Sequence, residues 1–269
     1  MTDALHPSVA PDLSTSSSVL DALLTEYTHA EDMLRSFTDR NIGQLCGMCA
    51  RWTLLVARTN AEGAQVRPPR GVPAEAITWR LSSWVTNCCN ANHALESMAE
   101  DTLAGIVASR EEGRQWWKRA QRSQASPCAA LTGEGCALKR GRPELCNRYF
   151  CEAVRDYLWQ LGGERDGSRL AEQLDETQRR WTHLYGAYQD AALRARASEF
   201  IDPAQVRADA GTDSFLTLLE RFDAEIARCI QPVSAQTVSD RLFKVSGDRS
   251  VYEPFFEREV TAINGQIRR

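Results

Sequence analysis

Leu170-Ala-Glu-Gln-Leu174-Asp-Glu-Thr-Gln-Arg-Arg-Trp181-Thr-His-Leu184-Tyr185-Gly-Ala-Tyr188-Gln-Asp-Ala-Ala192 decides the fold class. Its large apolar residues recur at intervals of three, four and seven, which lines them along one stripe of a helix. Ser168 opens this helix, and Gly162-Gly163 closes the one before it. Working toward the C-terminus, Asp202-Pro203 marks a turn. Phe215, Leu218, Leu219, Phe222, Ile226, Cys229 and Ile230 then form another helical stripe. Short segments near 238–245 and 252–267 complete the chain. Working toward the N-terminus, Pro143 opens a helix carrying Tyr149, Val154, Tyr157, Leu158 and Leu161. Pro73 opens a longer one with the seam Ile77, Leu81, Trp84, Cys88, Ala91, Leu95 and Met98, whose steps alternate four and three. That seam shifts at Leu103, Ile106 and Val107 and fades near 120. The first helix is expected over about 18–38, with Ser18 and Asp21 as its capping signal and Leu20, Leu23, Leu24, Tyr27, Met33, Leu34 and Phe37 as its stripe. Asn41-Ile42-Gly43 reads as a turn, and 61–71 as a loop. No strand alternation and no repeat is visible. The expectation is all-α: an irregular multi-helix bundle with a Cys-rich metal-binding loop. Residues 1–17 are read as a disordered tail and 18–269 as a single helical domain.

The cysteines carry the chemistry. Cys128, Cys136, Cys146 and Cys151 fall on or just beyond an irregular segment, 126–146, that holds three Gly and two Pro residues. Irregular backbone lets several thiolates converge on one point. Cys46-Gly-Met-Cys49 adds a Cys-x2-Cys pair, the usual way to present two thiolates to one ion. Six thiols in two clusters point to a soft metal or an iron–sulfur centre. Pro143 as first helical residue puts Cys146 in a first turn, where the helix dipole favours a thiolate. Lys139, Arg140 and Arg142 stand ready to offset negative charge, or form a solvated basic loop. Cys151, five positions after Cys146, is about 140° around a common helix, so both reach one centre only if that helix starts late or bends. Cys88 and Cys229 lie on apolar seams and read as core residues. Cys89 and His93 are near the seam of the long helix and stay open as ligands.

The wider composition narrows the classes. The chain has 269 residues, 43% of them hydrophobic and 25% charged, enough for a full core without cysteine staples. A net charge of −4 argues against a general nucleic-acid binder. No apolar run approaches the roughly 20 residues of a membrane span. The opening residues lack a basic n-region and an apolar h-region, so no secretory signal and a cytoplasmic, reducing location are expected. Nine cysteines there read as metal ligands or core residues before disulfides. There is no Cys-x-x-Cys-His, His-Glu-x-x-His, P-loop, Gly-x-Ser-x-Gly or Gly-rich nucleotide turn.

Cys128, Leu131, Cys136, Leu138, Arg142, Pro143, Cys146 and Tyr149 resemble, in order and spacing, the signature of the cysteine-cluster proteins described as zinc- or iron-chelating. That family resembles in turn the flagellin lysine N-methylases, which carry an iron–sulfur cluster. The family pattern begins with Cys-x2-Cys-Cys; here Cys46 and Cys49 match and Ala50 stands at the third place. It also follows the first cysteine of the second cluster with Pro, whereas Pro127 here precedes Cys128. The resemblance implies a bound zinc or iron centre.

Together these readings give a metal site of Cys46, Cys49, Cys128, Cys136, Cys146 and Cys151. Its cofactor is an iron–sulfur cluster ([4Fe–4S]) or zinc. The expected function is a protein- or peptide-modifying enzyme or its accessory factor, of the lysine N-methylase-like transferase kind if catalytic. The alternatives are a zinc-stabilised helical interaction protein and a thiol-based redox or metal-handling protein. A protein or peptide is the expected substrate or partner.

Overall fold

A computed structural model describes residues 13–61, 102–110, 131–132, 135–136, 140–142, 144–148, 150–229, 232–242 and 249–267. Residues 1–12 of the expected tail, most of the loop at 61–71, the seam from Ile77 to Met98 with Cys88, Cys89 and His93, and Cys128 all lie outside them.

Helix α1 (Leu13–Asn41) begins five residues earlier than the stripe predicts. Ser18 is therefore inside the helix, and the last part of the expected tail is helical. The turn at Asn41-Ile42-Gly43 separates α1 from α2 (Gly43–Ala61), yet the chain hardly breaks. The Ile42 amide still donates to the Thr38 carbonyl at 2.9 Å, and the Cys46 amide to the Ile42 carbonyl at 3.0 Å. Helix α3 (Leu103–Arg110) matches the expected shift of the apolar seam, with Leu103, Ile106 and Val107 buried.

The Cys-rich segment contains two short strands that the sequence reading did not foresee. β1 (Leu131–Thr132) pairs antiparallel with β2 (Gly135–Cys136), with Leu131 opposite Cys136. Two-residue strands are too short for alternation to register. The usable signal was the Gly133-Glu134 pair between them, a Gly-X sequence suited to a tight hairpin. A five-residue helix, α4 (Glu144–Arg148), follows.

The helical run α5 (Glu152–Arg196) is not one rod. Gly163 takes φ 60°, ψ −163°, a conformation essentially reserved for glycine, as the Gly162-Gly163 stop signal predicts. Arg155 Nη1 donates to Asp175 Oδ2 at 2.9 Å. Twenty residues of straight helix would hold these two about 30 Å apart. The run is therefore a helical hairpin whose arms lie side by side.

Asp202 caps α6 (Pro203–Asp209) by accepting from the Ala204 amide at 2.9 Å. Helix α7 (Thr212–Arg228) follows, then a π-helical turn at Thr237–Leu242 and α8 (Arg249–Ile267). Helix α1, the longer arm of α5 and α7 pack on one another and form the main core. Tyr27 meets Trp181 with ring centres 5.8 Å apart, Trp181 meets Phe215 at 5.8 Å, and Phe37 meets Phe222 at 5.0 Å. Each such buried side chain stabilises the fold by about 1.5–3 kcal/mol. At the other side, Trp52 of α2 packs on Phe255 and Phe256 of α8, and Arg51 pairs with the carboxylate of Glu259. The protein is all-α in class, and among the described residues no helix is long and apolar enough to cross a membrane.

Candidate metal centre

Four separate elements deliver the described thiols of the two clusters. Helix α2 carries Cys46, which is exposed, and Cys49, which is half-buried against the core. One helical turn sets their side chains about 60° apart around the axis. The β-hairpin packs against α2, bringing half-buried Cys136 to the helix that bears Cys46. Helix α4 carries Cys146, also half-buried. Cys151 is not on that helix: it is the N-cap of α5, with extended backbone at φ −68°, ψ 166°. The break between α4 and α5 thus removes the 140° separation that a single helix would impose on Cys146 and Cys151. Cys229 is buried in the core, as its place on the apolar stripe predicts.

The thiols share an electrostatic neighbourhood centred on Arg142. Burial disfavours the Arg142 charge, but Cys136, the carboxylates of Glu31 and Asp39, and Cys146 more than offset it, so the guanidinium is held more firmly charged than usual. The protein packed round the Cys46 sulfur holds its thiol above the ordinary range, Cys151 adds to the rise, Arg142 opposes it, and Asp39 contributes a further increase. Cys46 nonetheless keeps exposed surface. The openness decides whether an ion reaches the residue; the protein packed round the sulfur sets the cost of ionising it.

The segment between Cys136 and Cys146 is anchored by residues that the sequence reading passed over. Glu31 of α1 is only 2% exposed. Its Oε2 accepts from the Gly141 amide at 3.0 Å, and its Oε1 from the Arg142 amide at 3.1 Å and Asn147 Nδ2 at 2.9 Å. Next to it, Asp32 receives Arg140 through Nε at 3.1 and 3.2 Å and Nη2 at 2.6 Å. Gly141, with φ +66°, passes against α3, where a Cβ would fall 2.7 Å from the Ala108 amide nitrogen. The signal was present: Glu31 stands four residues after Tyr27 and three before Leu34, on the apolar stripe itself. An acid on a core stripe demands buried donors.

The donor set, several thiols beside a half-buried guanidinium, has the chemistry of a soft-metal or cluster site. Among the described residues, however, no three Cys, His, Asp or Glu side chains are grouped closely enough to hold an ion. The thiols are neighbours and not a closed coordination shell, and Cys128 lies outside the described residues. No family model, no curated protein and no solved structure matches this chain.

Proposed function

We propose that this chain is a thiolate-ligated metal protein. Its centre is built on Cys46, Cys136 and Cys146, with Cys49, Cys151 and Cys128 completing the ligand set, and the ion is a [4Fe–4S] cluster or zinc. One observation carries the reading: the β-hairpin that bears Cys136 packs against α2, which bears Cys46 and Cys49, and the Arg142 guanidinium lies within electrostatic reach of Cys46, Cys136 and Cys146. Several thiolates crowded together repel one another, and a fixed cation among them lowers that cost. Arg142 would play this part while Cys46, left open to solvent, provides the route of entry. A bound iron–sulfur centre would supply a redox or substrate-anchoring group, and a zinc ion a Lewis acid or a structural pin.

The finer proposal is that the protein modifies a protein or peptide, or assists an enzyme that does, as the likeness of its cysteine spacing to the cysteine-cluster family, itself similar to the flagellin lysine N-methylases, implies. The anchoring of the loop to α1 weighs against a purely structural zinc, because Glu31 and Asp32 already pin residues 140–147 through protein contacts alone.

Anaerobic purification followed by metal and acid-labile sulfide analysis tests the proposal. The expected result is a stoichiometric metal that Cys136→Ser releases and Cys229→Ser retains. Equal loss from both variants would overturn the division into ligand and core cysteines. A colourless protein with one or two zinc ions that unfolds on chelation would replace the enzymatic reading with a zinc-stabilised interaction protein.

A further inference from the structure

We infer that Glu31 is a positioning residue for the thiol centre, a role that rests on the proposed metal site. Among the described residues its hydrogen bonds go to Gly141, Arg142 and Asn147 and to no thiol. It holds the backbone of Gly141 and Arg142 and the side chain of Asn147, so one carboxylate grips the chain at two points between Cys136 and Cys146 and at a third just past Cys146. Asn147 is the immediate neighbour of Cys146. Arg142 is the cation among the thiols. Glu31 therefore sets where both the Cys146 ligand and the counter-charge stand relative to α2 and Cys46.

The arrangement is stiff for a physical reason. A fully buried carboxylate has no water to fall back on, so losing any of its donors leaves an unsatisfied charge. Asp32 and Arg140 flank it with a second, half-exposed ion pair that resists twisting of the segment. On the far side, Gly141 lies so close to α3 that the loop has little room to shift. Pre-organisation of this kind lowers the ordering cost that a metal would otherwise meet on binding. It also explains an acid on the apolar stripe of α1, which has no benefit for packing.

The test uses the full chain with Glu31→Gln. The amide keeps the volume but turns one acceptor into a donor facing an N–H. Asp223→Asn serves as the comparison: Asp223 accepts from Asn41 Nδ2 at 2.6 Å and ties α1 to α7 without touching the thiol segment. Two readouts are taken. In metal-free, reduced protein, alkylation of each cysteine is followed by peptide mapping. Cobalt(II) is then titrated in, and the thiolate-to-cobalt charge-transfer absorption and its loss to a competing chelator are recorded.

In Glu31→Gln, Cys136 and Cys146 are expected to alkylate about tenfold faster or more, while Cys229, which reports global unfolding, does not change. The same variant is expected to bind cobalt about tenfold more weakly with an altered charge-transfer band. Asp223→Asn is expected to leave both readouts near wild type. Unchanged labelling of Cys136 and Cys146 overturns the inference. So does faster labelling with unchanged cobalt binding, which makes Glu31 a loop anchor and nothing more. If the wild-type chain takes up no cobalt with sulfur ligation, the proposed function fails first, and the alkylation pattern alone then tells whether Glu31 fixes the thiol segment.

Discussion

At the residue scale, Gly141 and Glu31 define how the thiol segment is held. Gly141 must be glycine on two counts, its positive φ and the 2.7 Å approach that a Cβ would make to α3. Gly141→Ala is expected to destabilise the protein by about 2–4 kcal/mol, read from denaturant unfolding. Glu31 supplies a pH dependence. Burial raises its carboxyl above the ordinary range, outweighing the Gly141, Asn147 and Arg142 donors and the Arg142 charge that act the other way. A carboxyl harder to ionise when folded makes its full contribution to stability below the unfolded value near 4.5 and loses it as pH rises through the folded value. The stability of wild type relative to Glu31→Gln is therefore expected to fall from pH 4 upward. A difference that rises over that range would contradict the assignment. Glu31 was hard to find in the sequence because its partners lie more than 100 positions away, and Gly141 because its close neighbour Ala108 belongs to another element. The cysteines stood out because their spacing is local.

At the element scale, the helical run Glu152–Arg196 is the clearest meeting of sequence and structure. Gly162-Gly163 signalled the reversal, Ser168 and the stripe from Leu170 to Ala192 signalled the long arm, and the buried residues of that arm follow the stripe closely. The hairpin has its own test. Arg155 and Asp175 are each about two-fifths exposed, so solvent screens the pair and their coupling in a double-mutant cycle should be only about 0.2–1 kcal/mol. A straight helix predicts none. Gly163→Ala, which forces a side chain into a glycine conformation, is expected to cost about 1–3 kcal/mol on the same denaturation assay. The β-hairpin was not legible from periodicity, and neither was the break between α4 and α5. Both are shorter than the window over which a 2- or 3.6-residue period can be counted.

At the scale of the whole molecule, the core and the thiol region are two faces of one helical frame. Helix α1 serves both: Tyr27, Leu34 and Phe37 fill the core, while Glu31 and Asp32 reach the segment that bears Cys136 and Cys146. Helix α2 is shared too, giving Cys46 to the thiols and Trp52 to the packing against α8. The all-α class followed from apolar spacing alone. Where the described cysteines lie relative to one another did not, because that depends on how α2, the β-hairpin and α4 are folded together. The account stands or falls on whether those sulfurs share an ion. X-ray absorption at the iron or zinc edge of anaerobically purified protein measures this directly. The account predicts a dominant sulfur shell at about 2.3 Å, diminished in Cys136→Ser. A protein without metal, or one whose metal has only nitrogen and oxygen neighbours at about 2.0–2.1 Å, would contradict it.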